Sequence, residues 1–361
     1  MADTLYFSRD TQVFIKIGSA IWSIPVLDGF SFSQATNASE ITLNEMADTS
    51  GNSRRGRQMF TDSYAPAEWS FSTYMRPFAS AGSGSGAADS SAKHHAVEEV
   101  LWALMVGNAT YSSNTFPGFT ADTTDLDITF TNSNKTSLGT ADFFFVMGGA
   151  GSGTKTTYKI EGCVVNEAAI DFDIDGIATI NWSGFGKIIT EDTAPTATVF
   201  EATSRTENFI RNRLTSLTIS STSPTSTTYD LVLTGGNVTI ANNITFLTPE
   251  TLGVVNQPLG HVTGTRSISG NFTCYLNAEA NSSADLFENI IEGTTTITND
   301  FDLLFKVGGT ATPRVELAMT DCHLEVPAHS IDDVISLETN FHALPSTISG
   351  TDELTIKYVG A

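Results

Sequence analysis

Three arginines, Arg54, Arg55 and Arg57, sit almost side by side in a chain of 361 residues that carries 18 basic side chains against 40 acidic ones and a formal charge of −22. Guanidinium groups spaced this way hold phosphate through paired hydrogen bonds, pair with carboxylates, or simply face solvent. The excess of acid argues against a broad phosphate-neutralising surface, because nucleic-acid binders concentrate Lys and Arg. It favours an acidic patch on another copy of the same chain as the complementary target. A solvated cluster is the plain alternative, and a phosphate contact is the third.

The other chemistry-bearing patterns are incomplete. Asp171-Phe-Asp173-Ile-Asp175-Gly176 matches the first half of a calcium loop, but the twelfth position, where a bidentate Glu is needed, is Trp182. Phe172 and Ile174 alternate with the acids, which predicts a strand presenting Asp171, Asp173 and Asp175 on one acidic, solvated face. Gly148 to Thr156 resembles a phosphate loop, yet Lys155 falls one residue late and no helix follows, so a glycine-rich hairpin tip is expected. His94 and His95 adjoin a helix start, and His261, His323, His329 and His342 are dispersed. No H-E-x-x-H, Cys-x-x-Cys or G-x-S-x-G is present, so nothing positive marks an enzyme, a metal site or a cofactor. Three scattered cysteines, Cys163, Cys274 and Cys322, read as reduced thiols of a cytosolic protein.

The elements that must position these residues are short alternating runs rich in Val, Ile, Thr and Phe. They include residues 13–17, 24–32, 127–130, 143–147, 231–233, 238–246 and 303–307, parted by Gly, Asn, Asp and Ser. That pattern is all-β. Two segments break it. Val97, Val100, Leu101, Leu104 and Met105 carry helical spacing up to Gly107, and Leu286, Phe287, Ile290 and Ile291 repeat it up to Gly293, with Ser283 as the expected N-cap. No apolar run approaches the roughly 18–20 residues of a membrane helix, and the N-terminus does not read as a secretory signal.

The two halves of the chain echo one another in order. Ile41-Thr-Leu43 answers Ile244-Thr-Phe246, and Trp69-Ser-Phe71 answers Gly270-Asn-Phe272. The two helical segments correspond, as do Phe143 to Gly149 and Leu303 to Gly309. Cys163 answers Cys322, and Asn181-Trp182 answers Asn340-Phe341. This predicts a tandem duplication, with copies over about 11–187 and 214–350 and hence domains 1–187 and 214–361 joined by a linker at 188–213. Between Ile41 and Met75 the first copy reads as strand, long loop, strand. A polar loop over 46–68 far exceeds the usual hairpin connection and is expected to touch another molecule.

Residues 27–78 resemble the tail tube proteins of tailed bacteriophages. The likeness is carried by Asp28-Gly-Phe-Ser, the Ile41-Thr-Leu-Asn-Glu45 strand, the arginine loop, Pro66-Ala-Glu-Trp69-Ser-Phe-Ser and Arg76-Pro-Phe78. The resemblance implies a small β-sandwich or barrel flanked by one helix; the duplication, a departure from single-domain members, makes two such tandem domains, each with one short helix, that lend strands to an oligomeric β-barrel around a lumen. It implies rings, usually of six such domains, stacked into a tube for DNA passage. Trimeric pseudo-hexameric rings are favoured over hexamers because each chain brings two domains. It also implies that the long loop, with Arg54, Arg55, Arg57, Met59 and Phe60, is an inter-subunit contact. Its partners would be other tail proteins at the tube ends, a tape measure protein and transiting double-stranded DNA without tight binding. No cofactor and no membrane enter this picture, and the expected location is the virion tail after assembly in the host cytoplasm. A β-sandwich binding module, or another tail component of the same fold, is the alternative.

Overall fold

The computed structural model describes residues 6–42, 49–50, 56–79, 93–130, 138–148, 155–199, 209–221, 226–292, 301–331 and 333–360. Its elements are nearly all β, as the alternating runs predict. β1 (Gln12–Ile17) and β2 (Ala20–Ile24) form one hairpin, and β3 (Ser31–Thr42) and β4 (Arg57–Tyr74) a much longer one. β5 (Pro77–Ala79) and β6 (His94–Ala96) lead into α1 (Glu99–Val106), followed by β7 (Phe119–Ala121) and β8 (Asp125–Thr129). β9 (Ala141–Met147), β10 (Thr156–Phe172), β11 (Thr179–Gly186) and β12 (Ile189–Glu191) complete the first half.

The second half opens with β13 (Ser216–Ser221), β14 (Thr227–Leu231) and β15 (Leu233–Ala241), then a small hairpin of β16 (Thr245–Leu247) and β17 (Gly260–Val262). β18 (Ser267–Tyr275) precedes α2 (Ser283–Glu292). β19 (Phe301–Val307), β20 (Arg314–Leu324), β21 (Ala328–Ile331), β22 (Ile335–Ala343) and β23 (Thr355–Val359) close the chain.

The strand ladders among the described residues are antiparallel, and one pairing order occurs twice. In the first half it runs β2–β1–β9–β10, with β12 also on β10, and continues β10–β11–β4–β3. In the second half β14–β13–β19–β20 is followed by β23 on β20 and by β20–β22–β18–β15. Irregularities recur at the same places. Cys163 faces Ala141 beyond a bulge, and Cys322 faces Phe301 beyond another. A bulge re-aims the strand there, so that β10 and β20 each leave one sheet and enter a second.

The two halves meet edge to edge. Glu167 to Phe172 of β10 pair with Ala241 to Gly236 of β15. The result is one continuous sheet of order β3-β4-β11-β10-β15-β18-β22-β21. Within the chain the pairings run as an open, branched network, so this sheet keeps two edges. β8 of the first half also pairs with β23 of the second.

The main apolar core spans both halves, with Trp69, Phe71, Ile170 and Trp182 from one and Val238, Phe272, Phe305 and Phe341 from the other; Phe14, Phe144 and Val146 form a smaller cluster. Glycines fit the aromatics in a reciprocal way. In the first half Trp69 faces Gly184; in the second Gly270 faces Phe341. A Cβ on either glycine would run into that opposing ring, so each half places one large side chain and one empty position at the same point of the sheet. This pairing also shifts one sequence match: Trp182 stands where Thr339 does, two residues from the expected Phe341, because both lie opposite the Phe71 and Phe272 rungs.

Several expectations change. α1 is shorter than the helical spacing predicts and is buried on every side, Trp102 included, rather than amphipathic. His94 and His95 belong to β6, not to the helix start. Gly107 does end α1, in the left-handed region at φ 87°. In α2 Ser283 is already helical, and Ser282 supplies the carbonyl that accepts from Leu286 N at 3.0 Å; Gly293 lies outside the described residues. Residues 57–68, expected as loop, are strand β4. The segment 188–213, by contrast, packs as its Phe209 and Ile210 lead one to expect: Ile210 is buried, Phe209 stacks edge-on against Tyr74 at 5.2 Å, and Ile189–Glu191 is β12.

Candidate assembly surface

The long sheet has one face in the core and one free. Alternation along each strand sends Trp69, Phe71, Ile180, Trp182, Ile170, Val238, Ile240 and Phe272 inward. The residues between them face out, and registers align them in rows. Asp171, Asn237, Asn271 and Asn340 form one row, and Ser72, Asn181, Ala169, Thr239, Ser269 and His342 another.

These groups bond laterally. Ser72 Oγ donates to Asn181 Oδ1 at 2.6 Å, Asn181 Nδ2 to Asp171 Oδ2 at 3.3 Å, Asn271 Nδ2 to Glu338 Oε1 at 2.9 Å and Asn340 Nδ2 to Glu325 Oε2 at 2.8 Å. The hydrogen bond from Asn340 above all, with His342 beside it, holds the exposed Glu325 carboxyl below its ordinary range. The two rows and their partners Glu68, Glu167, Glu325 and Glu338 hold hydroxyls, amides, carboxylates and one histidine, with no Lys or Arg among them. The face is therefore acidic and richly hydroxylated.

Of the three acids expected on one strand face, only Asp171 is on it. β10 ends at Phe172, and residues 173–176 turn. Asp173 Oδ1 accepts from Ile174 N at 2.6 Å, and Asp175 meets Arg213 at 3.5 Å. The chain leaves the sheet there because Gly176 takes a positive φ of 101°. Trp182, at the position a calcium loop reserves for its closing Glu, is buried and donates to Thr73 Oγ1 at 2.9 Å.

The β3–β4 hairpin projects beyond the core. Arg57 pairs with Glu40 across it at 3.5 Å, and Met59 and Phe60 are 62% and 51% exposed. Arg54 and Arg55 lie outside the described residues, as do the glycine-rich residues 149–154. The hairpin flank also receives the second half: Tyr64 N donates to Asn256 O at 2.9 Å and Asn256 N to Asp62 O at 3.2 Å. Leu252, Val254, Val255 and Leu259 are exposed on that same segment.

Sequence reasoning missed a buried polar cluster that ties the halves together. Tyr358 of β23 donates to Glu98, and Trp102 Nε1 donates to Tyr358 at 2.7 Å. His95 Nδ1 and Glu99 are 2.8 Å apart beside it. Burial pushes the Glu98 carboxyl up to about 7, opposed by the Tyr358 hydrogen bond, and burial pushes the Tyr358 hydroxyl well above its ordinary range. Asn242, also buried, donates to Met105 O at 2.9 Å and Val165 O at 3.1 Å, capping α1 from the second half. Among the described residues no group of three His, Cys, Asp or Glu side chains could hold a metal, and no helix is long and apolar enough to cross a membrane.

A nearly all-β scaffold with open sheet edges, polar rows that carry no Lys or Arg among the described residues, and a projecting hairpin has the layout of a structural building block. The comparisons with known proteins give that class its family. The model of the phage tail tube protein family matches residues 27–343. The tail tube protein pb6 of Escherichia phage T5 is 30% identical over 367 aligned residues, covering 97% of this chain and 75% of that protein. The chain belongs to the phage tail tube protein family, a structural component of the virion tail.

Proposed function

We propose that the chain is the major tail tube subunit, polymerising as stacked rings into the hollow conduit through which the genome is ejected. The observation that carries this reading is the long sheet, which is apolar on one side, free of Lys and Arg along its polar rows, and open at both edges. Turned toward a lumen, such a face repels phosphate and leaves transiting double-stranded DNA unbound. Open edges are an aggregation hazard unless paired, and ring closure pairs them.

The repeated pairing order and the recurring bulges support a tandem duplication, with 1–187 and 214–361 as the two tube domains. A chain that brings two such units favours trimeric pseudo-hexameric rings over hexamers. The projecting hairpin, with Arg57, Met59 and Phe60, is placed to meet a neighbouring subunit or ring. Other tail proteins at the tube ends and a tape measure protein in the lumen complete the partner set, with assembly in the host bacterial cytoplasm. Negative-stain microscopy of the purified protein tests the reading. Hollow rings or tubes are expected, and monodisperse single chains at every concentration would refute it.

A further inference from the structure

Among the described residues, the long sheet ends at β3 on one side and β21 on the other, each paired along one edge only. Between these ends lies a junction of the same kind already made: β10 against β15, inside the chain. The strands on its two sides have counterparts at the open ends. β21 sits on β22 as the end of β10 sits on β11, Ala328 facing Glu338 as Ala169 faces Asn181, with a register irregularity ahead of each. Thus Ala169 corresponds to Ala328 and Phe172 to Ile331. β3 sits on β4 as β15 sits on β18, since Phe32 faces Trp69 and Val238 faces Gly270.

We propose that β21 of one copy pairs antiparallel with the start of β3 in the next copy, in the register of the internal junction. Ala328 then faces Ser33 as Ala169 faces Thr239, and Ile331 faces Phe30 as Phe172 faces Gly236. The partner is a second copy of this chain, and the inference rests on the ring reading above.

Packing supplies an independent argument. Phe172, at the internal junction, is 6% exposed and stacks on Phe305 at 5.1 Å. Ile331, its counterpart, is 79% exposed. Phe145 occupies in the first half the place of Phe305 in the second, and Phe30 and Phe32 already stack on it at 5.6 and 4.6 Å. One junction joins a large side chain to glycine; the other would join a medium side chain to a large one. The Trp69–Gly184 and Gly270–Phe341 pairs make the same exchange within each half. The outer joint is the weaker one. β21 has four residues against six in the internal junction, and Pro327 at its start has no N–H to lend. A short, proline-bordered edge keeps free subunits from pairing at random. Because β21 and β3 are different surfaces, the contact is head-to-tail and closes only as a ring.

Cysteines at Ala328→Cys and Ser33→Cys in the full chain test it, after mild oxidation of assembled particles. Burial pushes the native Cys274 and Cys322 thiols up to about 11 and 12 and the Cys163 thiol well above its ordinary range, so they contribute no background. A non-reducing ladder that ends at the ring size is expected from the double variant, and none from either single variant. Tubes or rings seen by microscopy without cross-links would overturn the seam while leaving the tube reading intact; wild-type protein that forms neither would overturn both. If the double variant does not fold, Ile331→Asp decides. An unchanged melting temperature with loss of rings supports the seam, and rings at wild-type yield reject it.

Discussion

Glu98 is the residue whose chemistry most depends on the fold. Its carboxyl is enclosed by α1, β23 and the Arg76 backbone, and burial raises it from an ordinary 4.5 to about 7. A carboxyl raised on folding favours the protonated native state. Its contribution is full below about pH 4.5 and is lost as pH rises toward 7, on the order of 3 kcal/mol over that window. Glu98→Gln is therefore expected to flatten this part of the stability profile, read as melting temperature between pH 4.5 and 7.5 beside the parent. A parallel profile would show that Glu98 stays ionised. Gly184→Ala is a second case. Its methyl group would enter the Trp69 ring and the Val164 carbonyl, so a loss of about 1–3 kcal/mol is expected in chemical denaturation. Neither residue announced itself in the sequence. Glu98 and Tyr358 are at opposite ends of the chain, and a glycine's aromatic partner is assigned only by register.

At the scale of elements, legibility followed burial. β1, β9 and β19 read clearly because they bury a face and alternate or run apolar. The first part of β4, residues 57–66, carries no such signal, since a hairpin that projects past the core has two solvated faces and no reason to alternate. Polar, arginine-bearing sequence then reads as loop. α1 failed in the opposite direction: from Val100 to Val106 it is apolar on every side, the pattern of an enclosed helix, and attention to the helical spacing alone understates its burial. The hairpin yields a prediction of its own. Joining Ser39 to Phe60, which are opposed in register, through an Asn-Gly turn removes the projection and keeps the body of the sheet. Rings that no longer lengthen into tubes are expected by microscopy and sedimentation; tubes of ordinary length would take the stacking role away from the hairpin.

For the whole molecule, composition and repeat order carried much of the argument. A charge of −22 with 40 acidic residues excluded a broad nucleic-acid-binding surface, and the polar rows of the sheet are where that exclusion acquires geometry. What the sequence could not show was the joining of the halves, because edge pairing between β10 and β15 leaves no motif in either strand. A lumen-facing role for these rows predicts a measurable effect. Placing Lys at Asn237 and Asn271 should retain DNA fragments on assembled tubes at low salt and release them at high salt. No retention would mean that this face looks elsewhere. The β10–β15 junction also bears on dilution. It forms when the chain folds and has no association constant, so its effective concentration does not fall with protein concentration. Every second seam of a ring built from such chains is immune to dilution, and a ring coming apart can shed only paired units, never single ones.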